Sequence, residues 1–386
     1  MKFRDEISES LTLKFAQAAN ARKKKGERII SLGLGEPDFN TPTEIIDATV
    51  KTLKNKQSKY SAPLGVLSLR TRISEKLKSE NKINASADNI VITPGAKQAL
   101  QIALMALLEP DDEIVMIMPA YVSYIPQVLI AEPTAKVKYL DLNKDDHSLD
   151  INSLKNIVTE KTKAIIINTP HNPTGAVLKK KQLEELFKIA EKHNSFIISD
   201  EVYEKLTFNG AEHFSIGALE AVPQKVITVN GYSKSHAMTG WRIGYACFSN
   251  ELKTRILKIQ QHINTNTCTF IQEALGEVLP IDTSYLVEYN KTLEYRIDIY
   301  NNFINRVHRI KGVLPKGSFF AFLNISELGM DSNTFASRLI EETGVAVTPG
   351  IAFGNKWDDH IRVSLAVDDK TLEEAFQLIE KFISKL

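Results

Sequence analysis

The alternation of short β-branched runs with amphipathic stretches is the feature that most constrains the fold of this sequence. Strand-sized apolar runs occupy residues 89–93, 113–118, 163–168, 196–199, 225–229 and 243–248. Runs of this kind indicate strands buried on both faces. Most of the gaps between them are long enough for the crossover helices that parallel strands require. The sequence therefore predicts an α/β sheet with helices on both faces, in a large domain of residues 41–285.

The remainder of the chain has a different pattern. A long charged and amphipathic stretch at 285–308 is followed by strand-like runs at 317–324, 345–348 and 360–366, with helical patterns between and after them. We expect a smaller α+β domain, built from residues 1–40 and 286–386. Thr41, Pro42 and Glu44 predict a capping box at the entrance to the large domain. The basic run 22–25 before Gly26 predicts the end of a helix.

Composition excludes several classes of function. Lys and Arg number 48 against 47 Asp and Glu, so the net charge gives no attraction to nucleic acid or to acidic membrane surfaces. No apolar stretch approaches the ~18 residues of a membrane span, and the first 28 residues lack an export signal. The two cysteines and eight histidines show no metal-binding spacing. We expect a cytoplasmic protein without a metal.

Polar residues follow four of the predicted strands, at residues 95–97, 171–175, 200–203 and 233–234. Ligands of open parallel sheets bind beyond the carboxyl ends of the strands. Gly95 begins a helical pattern whose free N–H groups suit an anion such as phosphate, although an ordinary loop glycine explains that turn equally well. The sequence lacks one glycine that the dinucleotide-binding fingerprint requires and one that the Walker loop requires.

Taken together, these motifs resemble those of class I aminotransferases, which are aspartate aminotransferase-like members of the pyridoxal-phosphate fold type I family. The run Ser-Lys-Ser-His-Ala-Met-Thr-Gly-Trp-Arg-Ile-Gly-Tyr at 233–245 resembles their lysine motif, and further landmarks follow in the expected order at 35–39, 60, 172–175, 200–203 and 362. The resemblance covers residues from about 10 to the C-terminus. It implies a mostly parallel seven-stranded sheet, pyridoxal 5′-phosphate and a ping-pong transfer of an amino group from an amino acid to a 2-oxo acid.

The resemblance implies specific roles at the ring of the cofactor. Lys234 would hold the cofactor covalently and later move a proton at the substrate Cα, because a desolvated amine readily loses its charge. Asp200 would keep the ring nitrogen protonated. Tyr203 and Asn172 would donate hydrogen bonds to the ring oxygen, and Tyr121 would stack on the ring, with core packing as the alternative for this tyrosine.

The phosphate would be bound by one cluster of residues. By resemblance, Arg242 and Ser233 would hold it together with the turn of Gly95, Ala96 and Lys97. Tyr60 resembles the tyrosine that reaches the phosphate from the neighbouring subunit, which implies a homodimer with shared active sites.

The substrate would be held at both ends. Arg362 resembles the arginine that binds the α-carboxylate, helped by Asn172 and the backbone of Gly35. A cation in a first helical turn invites an anion, and Lys97 with Thr12 resembles a pair that recognises a distal carboxylate. An acidic donor such as aspartate, with 2-oxoglutarate as acceptor, is the leading hypothesis.

Some residues depart from the family pattern, and alternatives remain. Ala96, Gly231 and His236 differ from the residues that the family usually has there, and we interpret His171 and His236 as structural. Aromatic, branched or alanine substrates stay open, as does a lyase of the same fold that cleaves a Cβ substituent. A noncatalytic cofactor sensor would need a DNA-binding module, for which the residues before the large domain are too few. A nicotinamide dehydrogenase would need a third glycine that this sequence does not have.

Overall fold

A seven-stranded sheet forms the centre of the molecule. The computed structural model describes residues 7, 9–55 and 58–386, so the first six residues and residue 8 of the segment 1–40 lie outside the described residues. The strands, from one edge of the sheet to the other, are β2 (Ile90–Thr93), β8 (Gly244–Cys247), β7 (Val226–Gly231), β6 (Phe196–Asp200), β5 (Thr162–Asn168), β3 (Glu113–Met118) and β4 (Lys136–Asp141). All neighbouring strands pair in parallel except at β8, which is antiparallel to both of its neighbours. The mostly parallel, seven-stranded sheet that the resemblance implied is confirmed.

Alternating side chains of the strands enter two separate cores. In β3, Ile114 and Met116 pack into one core with the helix Ala96–Leu107, whereas Val115 packs into the other with the helix Lys180–Lys192. Successive residues of a strand point to opposite faces of the sheet. Strands of continuous apolar residues therefore require helices on both faces.

The helices are mostly amphipathic, and their bounds follow the sequence pattern closely. In chain order they are α1 (Leu11–Lys24), α2 (Thr43–Lys54), α3 (Leu67–Lys76), α4 (Ala96–Leu107), α5 (Tyr124–Ala131), α6 (Ile151–Ile157), α7 (Lys180–Lys192), α8 (Lys253–Ile263), α9 (Thr269–Val278), α10 (Ser284–Arg306), α11 (Ser332–Thr343) and α12 (Asp369–Ile383). No helix among the described residues is long and apolar enough to cross a membrane.

A second, smaller sheet lies in the C-terminal part of the chain. Its order is β12 (Thr348–Pro349), β13 (His360–Ser364), β10 (Phe320–Asn324) and β9 (Lys311–Gly312), and all of its pairs are antiparallel. A separate parallel pair joins β1 (Ile30–Ser31) to β11 (Val345–Ala346), which ties the N-terminal segment to the C-terminal part. This is the mixture of helices and short strands that the sequence predicts there. The division at 41–285 stays a prediction.

Three local predictions were wrong. The capping box at Thr41 does not form, because the Thr41 hydroxyl donates to the Ala237 carbonyl and Pro42 occupies the N-cap of α2. The edge strand β4 was missed, since its charged and half-exposed residues lack the apolar run of its neighbours. The basic run 179–181 predicts a solvated loop edge, but Lys180 and Lys181 begin helix α7.

Candidate active site

A cavity of about 460 Å³ opens at the carboxyl ends of the central parallel strands. Every residue that the sequence singled out for the site lines this cavity, except Gly95 and Tyr60. Those residues are Thr12, Gly35, Ala96, Lys97, Tyr121, Asn172, Asp200, Tyr203, Ser233, Lys234, Arg242 and Arg362. The fold therefore gathers side chains that are spread over about 350 positions of the sequence.

Lys234 lies three residues after the end of β7, with its ammonium group inside the cavity. Its Nζ donates to the carbonyl of Gly35. Burial lowers the pKa of Lys234 to about 8, against the nearby charge of Glu36, while Arg362 and Arg242 lower it further. An amine of this kind has a substantial neutral fraction near neutral pH, which a nucleophile or a base requires.

Asp200 ends strand β6 and is 9% exposed. Burial raises its pKa to about 6, while the hydroxyl of Tyr124 donates to Oδ2 at 2.7 Å and opposes that shift. The backbone N–H of Val202 donates to Oδ1 at 3.3 Å. This carboxylate is thus oriented on both oxygens and is ready to pair with a cation in the cavity.

Tyr203 and Asn172 occupy the wall next to Asp200. The amide of Asn172 hydrogen-bonds with the Tyr203 phenol, and burial raises the pKa of Tyr203 well above its usual value. Asn168, the last residue of β5, holds this region together, because its side chain accepts from the backbone N–H of Asn172 at 2.8 Å and donates to the Asp200 carbonyl at 2.9 Å. Tyr203 is therefore a neutral donor at physiological pH.

An anion cradle lies where β2 runs into helix α4. Gly95 is the N-cap of that helix, with a φ of +85°, and the first N–H groups of the helix have no partner within it. The Arg242 guanidinium donates to the carbonyls of Pro94, at 3.0 Å, and Thr239, at 2.8 Å. A Cβ atom on Gly95 would come within 2.2 Å of Arg242 Nη2. Glycine is required here for both reasons.

Arg362 lies on β13 and is 3% exposed. It donates to Asn172 Oδ1 at 3.0 Å and to the Gly33 carbonyl at 2.8 Å, and its guanidinium carbon is 4.1 Å from the centre of the Phe320 ring. Burial lowers its pKa to about 10. Among the residues that the structure describes, no carboxylate pairs with this cation, and its Nε has no partner. A buried, unneutralised guanidinium is a receptor for a carboxylate.

Lys97 lies in the first turn of α4, where it is exposed and lines the cavity. Its Nζ is 5.6 Å from the centre of the Tyr121 ring, and Thr12 of α1 also lines the cavity. No carboxylate among the described residues lies within ion-pair distance of Lys97. Arg362 and Lys97 are thus two cations of the cavity lining that have no carboxylate partner among the described residues.

A partly buried ion pair holds the loop that contains Gly35. Asp38 accepts hydrogen bonds from Arg296 at 2.8 Å and from Tyr289 at 2.9 Å, both on helix α10. Phe39 packs against Tyr289, with ring centres 4.6 Å apart. These contacts explain the conformation of the segment 35–39, whose Gly35 carbonyl faces Lys234.

Some residues differ from what the sequence suggested. Tyr60 is 87% exposed and lies outside the cavity of its own chain. Tyr124 was missed, because it is the first residue of α5 and no sequence motif marks its contact with Asp200. His171 and His236 are buried, and burial lowers the pKa of each, to about 3 and about 4, which accords with structural roles.

The donor set fits pyridoxal phosphate. An amine of lowered pKa suits an aldehyde, an oriented carboxylate suits a pyridine nitrogen, and the cradle at Gly95 and Arg242 suits a phosphate. The steric limit at Gly95 leaves this cradle open to an anion rather than filling it with a side chain.

Comparison with known proteins gives a consistent result. The family model for aminotransferase class I and II matches residues 27–379. The chain is 38% identical to an aspartate aminotransferase of Thermotoga maritima, over 98% of each chain. It is 37% identical to an aromatic-amino-acid aminotransferase of Thermococcus litoralis, over 93% of this chain and 92% of the relative. The solved structure of an aspartate aminotransferase from Thermus thermophilus with maleate superposes with a TM-score of 0.93 at 32% identity, covering 99% of this chain and 98% of the other.

Proposed function

The chain belongs to the class I and II aminotransferases, and from this premise we propose that its amino donor is an acidic amino acid, with aspartate preferred and a 2-oxo acid such as 2-oxoglutarate as acceptor. Enzymes of this family depend on pyridoxal 5′-phosphate. When bound, that group supplies an aldehyde that takes up the amino group and an electron-poor ring that accepts electrons from the substrate Cα.

In this proposal, the protein holds the cofactor at three points. Lys234 attaches it through Nζ, Asp200 pairs with the protonated ring nitrogen, and Arg242 binds the phosphate at the helix terminus that begins at Gly95. Ser233 and the Ala96 N–H would complete the phosphate site. Tyr203 and Asn172 would donate to the ring oxygen, and Tyr121 would stack on the ring.

Proton movement at the substrate is assigned to the amine of Lys234. Because its pKa is about 8, the amine takes a proton from the substrate Cα and returns it without a large energetic penalty. Arg362 would bind the α-carboxylate through its unpartnered side and so fix which Cα bond is broken. Asn172 and Gly35 support that orientation.

The unpaired ammonium group of Lys97 is the observation that most supports an acidic amino donor. A dicarboxylic amino acid has a second carboxylate, and Arg362 and Lys97 offer one receptor for each end, with Thr12 beside Lys97. The Thermus thermophilus neighbour, at a TM-score of 0.93, was solved with maleate, which is itself a dicarboxylate. An apolar donor would offer no partner to the exposed Lys97 ammonium, whereas the second carboxylate of a dicarboxylic donor would.

The test is the rate of the first half-reaction with aspartate, phenylalanine and alanine, for the natural protein and for Lys97→Ala. We expect Lys97→Ala to lower kcat/KM for aspartate by about 10- to 100-fold, the loss of a charge-assisted hydrogen bond, and to leave alanine almost unaffected. Lys155→Ala, at an exposed position of α6, is the matched control. An unchanged rate with aspartate would remove the acidic donor from the proposal, and pyruvate or ammonia released without an acceptor would identify a lyase instead.

We also propose that the enzyme is a homodimer in the cytoplasm. Tyr60 is exposed in its own chain, and α2 presents an exposed apolar row of Ile46, Val50 and Leu53, which suits contact with a second copy. Tyr60 would then complete the phosphate site of the neighbouring subunit. Both cysteines are free thiols, as is usual in a reducing compartment.

A further inference from the structure

A buried cluster of charges lies directly behind the residues that face the cofactor site. Asp200 and Tyr203 line the cavity, whereas Glu201 and Glu204 do not. Glu201 is completely buried and its backbone N–H donates to the Val229 carbonyl of β7 at 2.9 Å. One short segment of chain therefore carries the ring-facing groups and the buried cluster together.

The carboxylate of Glu201 is fully engaged. Ser199 donates to Oε1 at 2.8 Å, Ser215 donates to Oε2 at 2.6 Å, and His213 Nε2 lies 3.1 Å from the same Oε2. Side chains of low exposure make every one of these contacts. Loss of one partner would leave a buried charge without compensation.

Glu204 forms the second half of the cluster. Lys76 of α3 pairs with Oε1, and Asn81 donates to Oε2 at 2.6 Å. Asn81 also donates to Ser215 at 2.6 Å, which links the two carboxylates through one network. The network thus joins helix α3 to the segment behind Asp200.

This cluster is balanced without a metal ion. The ligand atoms of Glu201, Glu204 and His213 lie within 4.8 Å of one another, a spacing that could suit a cation. However, the Lys76 ammonium already occupies the place beside Glu204. Burial acts to lower the pKa of His213, but the charges of Glu201 and Glu204 outweigh it and raise that pKa. Lys76 offsets part of the charge of the two carboxylates, and the raised pKa of His213 favours its protonated form beside them.

We propose that Glu201 and His213 are positioning residues for Asp200, and that the charge state of this pair sets how readily the Asp200 carboxylate stays ionised beside the cofactor ring. The reason is electrostatic. Glu201 is a negative charge on the neighbouring residue, and His213 is the cation that offsets it. The pair of Glu201 and His213 therefore has almost no net charge beside Asp200 only while His213 keeps its proton.

The two residues have opposite effects on the ionisation of Asp200. Burial is the largest cause of the raised pKa of Asp200, and the charge of Glu201 raises it further. Removal of that charge would lower the pKa of Asp200, whereas removal of the His213 cation would expose Asp200 to an unbalanced Glu201 and raise it. If Glu201 and His213 had only a structural role, their removal would not shift the pKa of Asp200 in opposite directions.

Other groups near the cluster must be considered in any pH dependence. The charged neighbours are Lys76, Glu80, Glu204 and Lys205, and the neutral titratable ones are Tyr232, His236, Tyr245 and Cys247. Burial raises the pKa of Cys247 to about 12 and lowers that of His236 to about 4, so both stay neutral between pH 5 and 9. His213 differs from these groups, because the charges of Glu201 and Glu204 raise its pKa.

The experiment is a pH titration of the visible absorption of the holoenzyme for four variants. These are Glu201→Gln, His213→Gln, the double variant, and His193→Gln as a control that removes an exposed His–Glu pair elsewhere. We expect His213→Gln to move the acidic transition of the spectrum upward by about one pH unit and Glu201→Gln to move it downward by a similar amount. The double variant should return it near the natural value, and the control should not change it.

Shifts of both single variants in the same direction, or no shift in either, would overturn the proposal. So would a stoichiometric metal found by elemental analysis whose removal by a chelator changes the transition. If His213→Gln folds poorly, the isosteric Glu201→Gln alone decides the sign, with thermal midpoints reporting folding. The proposal rests on the cofactor and on Asp200, not on the donor acid, because no amino acid is added. A failure of the acidic-substrate proposal would therefore leave this test unaffected.

Discussion

Burial, rather than direct charge pairing, gives the individual residues of the pocket their chemistry. Lys234 and Asp200 shift in opposite senses for the same reason, because a low-dielectric environment disfavours the charged form of each. Each shift is then restrained by one specific neighbour. Glu36 acts on Lys234, and Tyr124 acts on Asp200.

Tyr124 provides a test of this view. Tyr124→Phe removes the hydroxyl that donates to Asp200 at 2.7 Å, a hydrogen bond to a charged group with a typical value of about 1.5–3 kcal/mol. The pKa of Asp200 should rise by about one to two units. We expect the acidic limb of the kcat/KM profile to move to higher pH, as measured in steady-state assays from pH 4.5 to 9. Tyr295→Phe, at an exposed site on α10, is the control, and an unmoved acidic limb would show that Tyr124 does not govern Asp200.

Lys234 gives a second prediction at this scale. Its amine is neutral only above a pKa of about 8, so the rate constant for attachment of pyridoxal phosphate to the cofactor-free protein should rise with pH up to about 8 and then level off. Stopped-flow absorbance across pH 6 to 10 measures it. A rate that still rises steeply above pH 9 would contradict a lowered pKa.

Residues that belong to contiguous motifs could be predicted, and residues recruited by packing could not. Lys234, Asp200 and Asn172 follow strands within short motifs, and the structure brings all three to one cavity. Tyr124 acts on Asp200 across 76 positions of sequence, and the Arg296 to Asp38 pair spans 258. No local pattern encodes such contacts, because they depend on how the elements are packed.

At the scale of secondary-structure elements, the junction between β2 and α4 is the critical one. The turn combines a backbone conformation that is open almost only to glycine with a hydrogen bond from Arg242 to the Pro94 carbonyl. It places the positive end of a helix at the cradle.

Gly95→Ala should therefore weaken cofactor binding more than it weakens folding. The strained φ costs about 1–3 kcal/mol, and the added methyl displaces Arg242 from the phosphate site. We expect the Kd for pyridoxal phosphate to rise at least about tenfold, as measured by equilibrium titration. Gly210→Ala is the matched control, because Gly210 also has a positive φ, of +72°, but nothing within 4 Å of a Cβ atom. Equal effects of the two variants would mean that backbone strain alone is responsible.

Elements were predictable where one physical pattern dominates. The buried strands follow from continuous apolar runs, whereas β4 was missed because an edge strand with lysines lacks that pattern. The turn at Thr41 looked like a helix cap, yet its hydroxyl bonds to Ala237, nearly 200 positions away. Tertiary contacts override local capping preferences in such cases.

At the scale of the whole molecule, the proposed homodimer would bring the exposed Tyr60 to the phosphate site of the neighbouring subunit. Shared sites predict complementation between two inactive variants, Tyr60→Ala and Lys234→Ala. A co-expressed heterodimer would contain one intact site, so an equal mixture should recover about a quarter of the natural activity, since half of the dimers are mixed. Activity assays of the mixed and the separate variants measure this. Absence of recovery in verified heterodimers would place Tyr60 outside the neighbouring site.

The central claim is the covalent attachment of pyridoxal phosphate to Lys234, and reduction by borohydride tests it most directly. Borohydride makes the attachment permanent, and mass spectrometry of the digested protein then locates it. We expect a single pyridoxyl adduct on the peptide that contains Lys234, and none in Lys234→Ala. An adduct on a different lysine, or none in the natural protein, would show that Lys234 does not hold the cofactor.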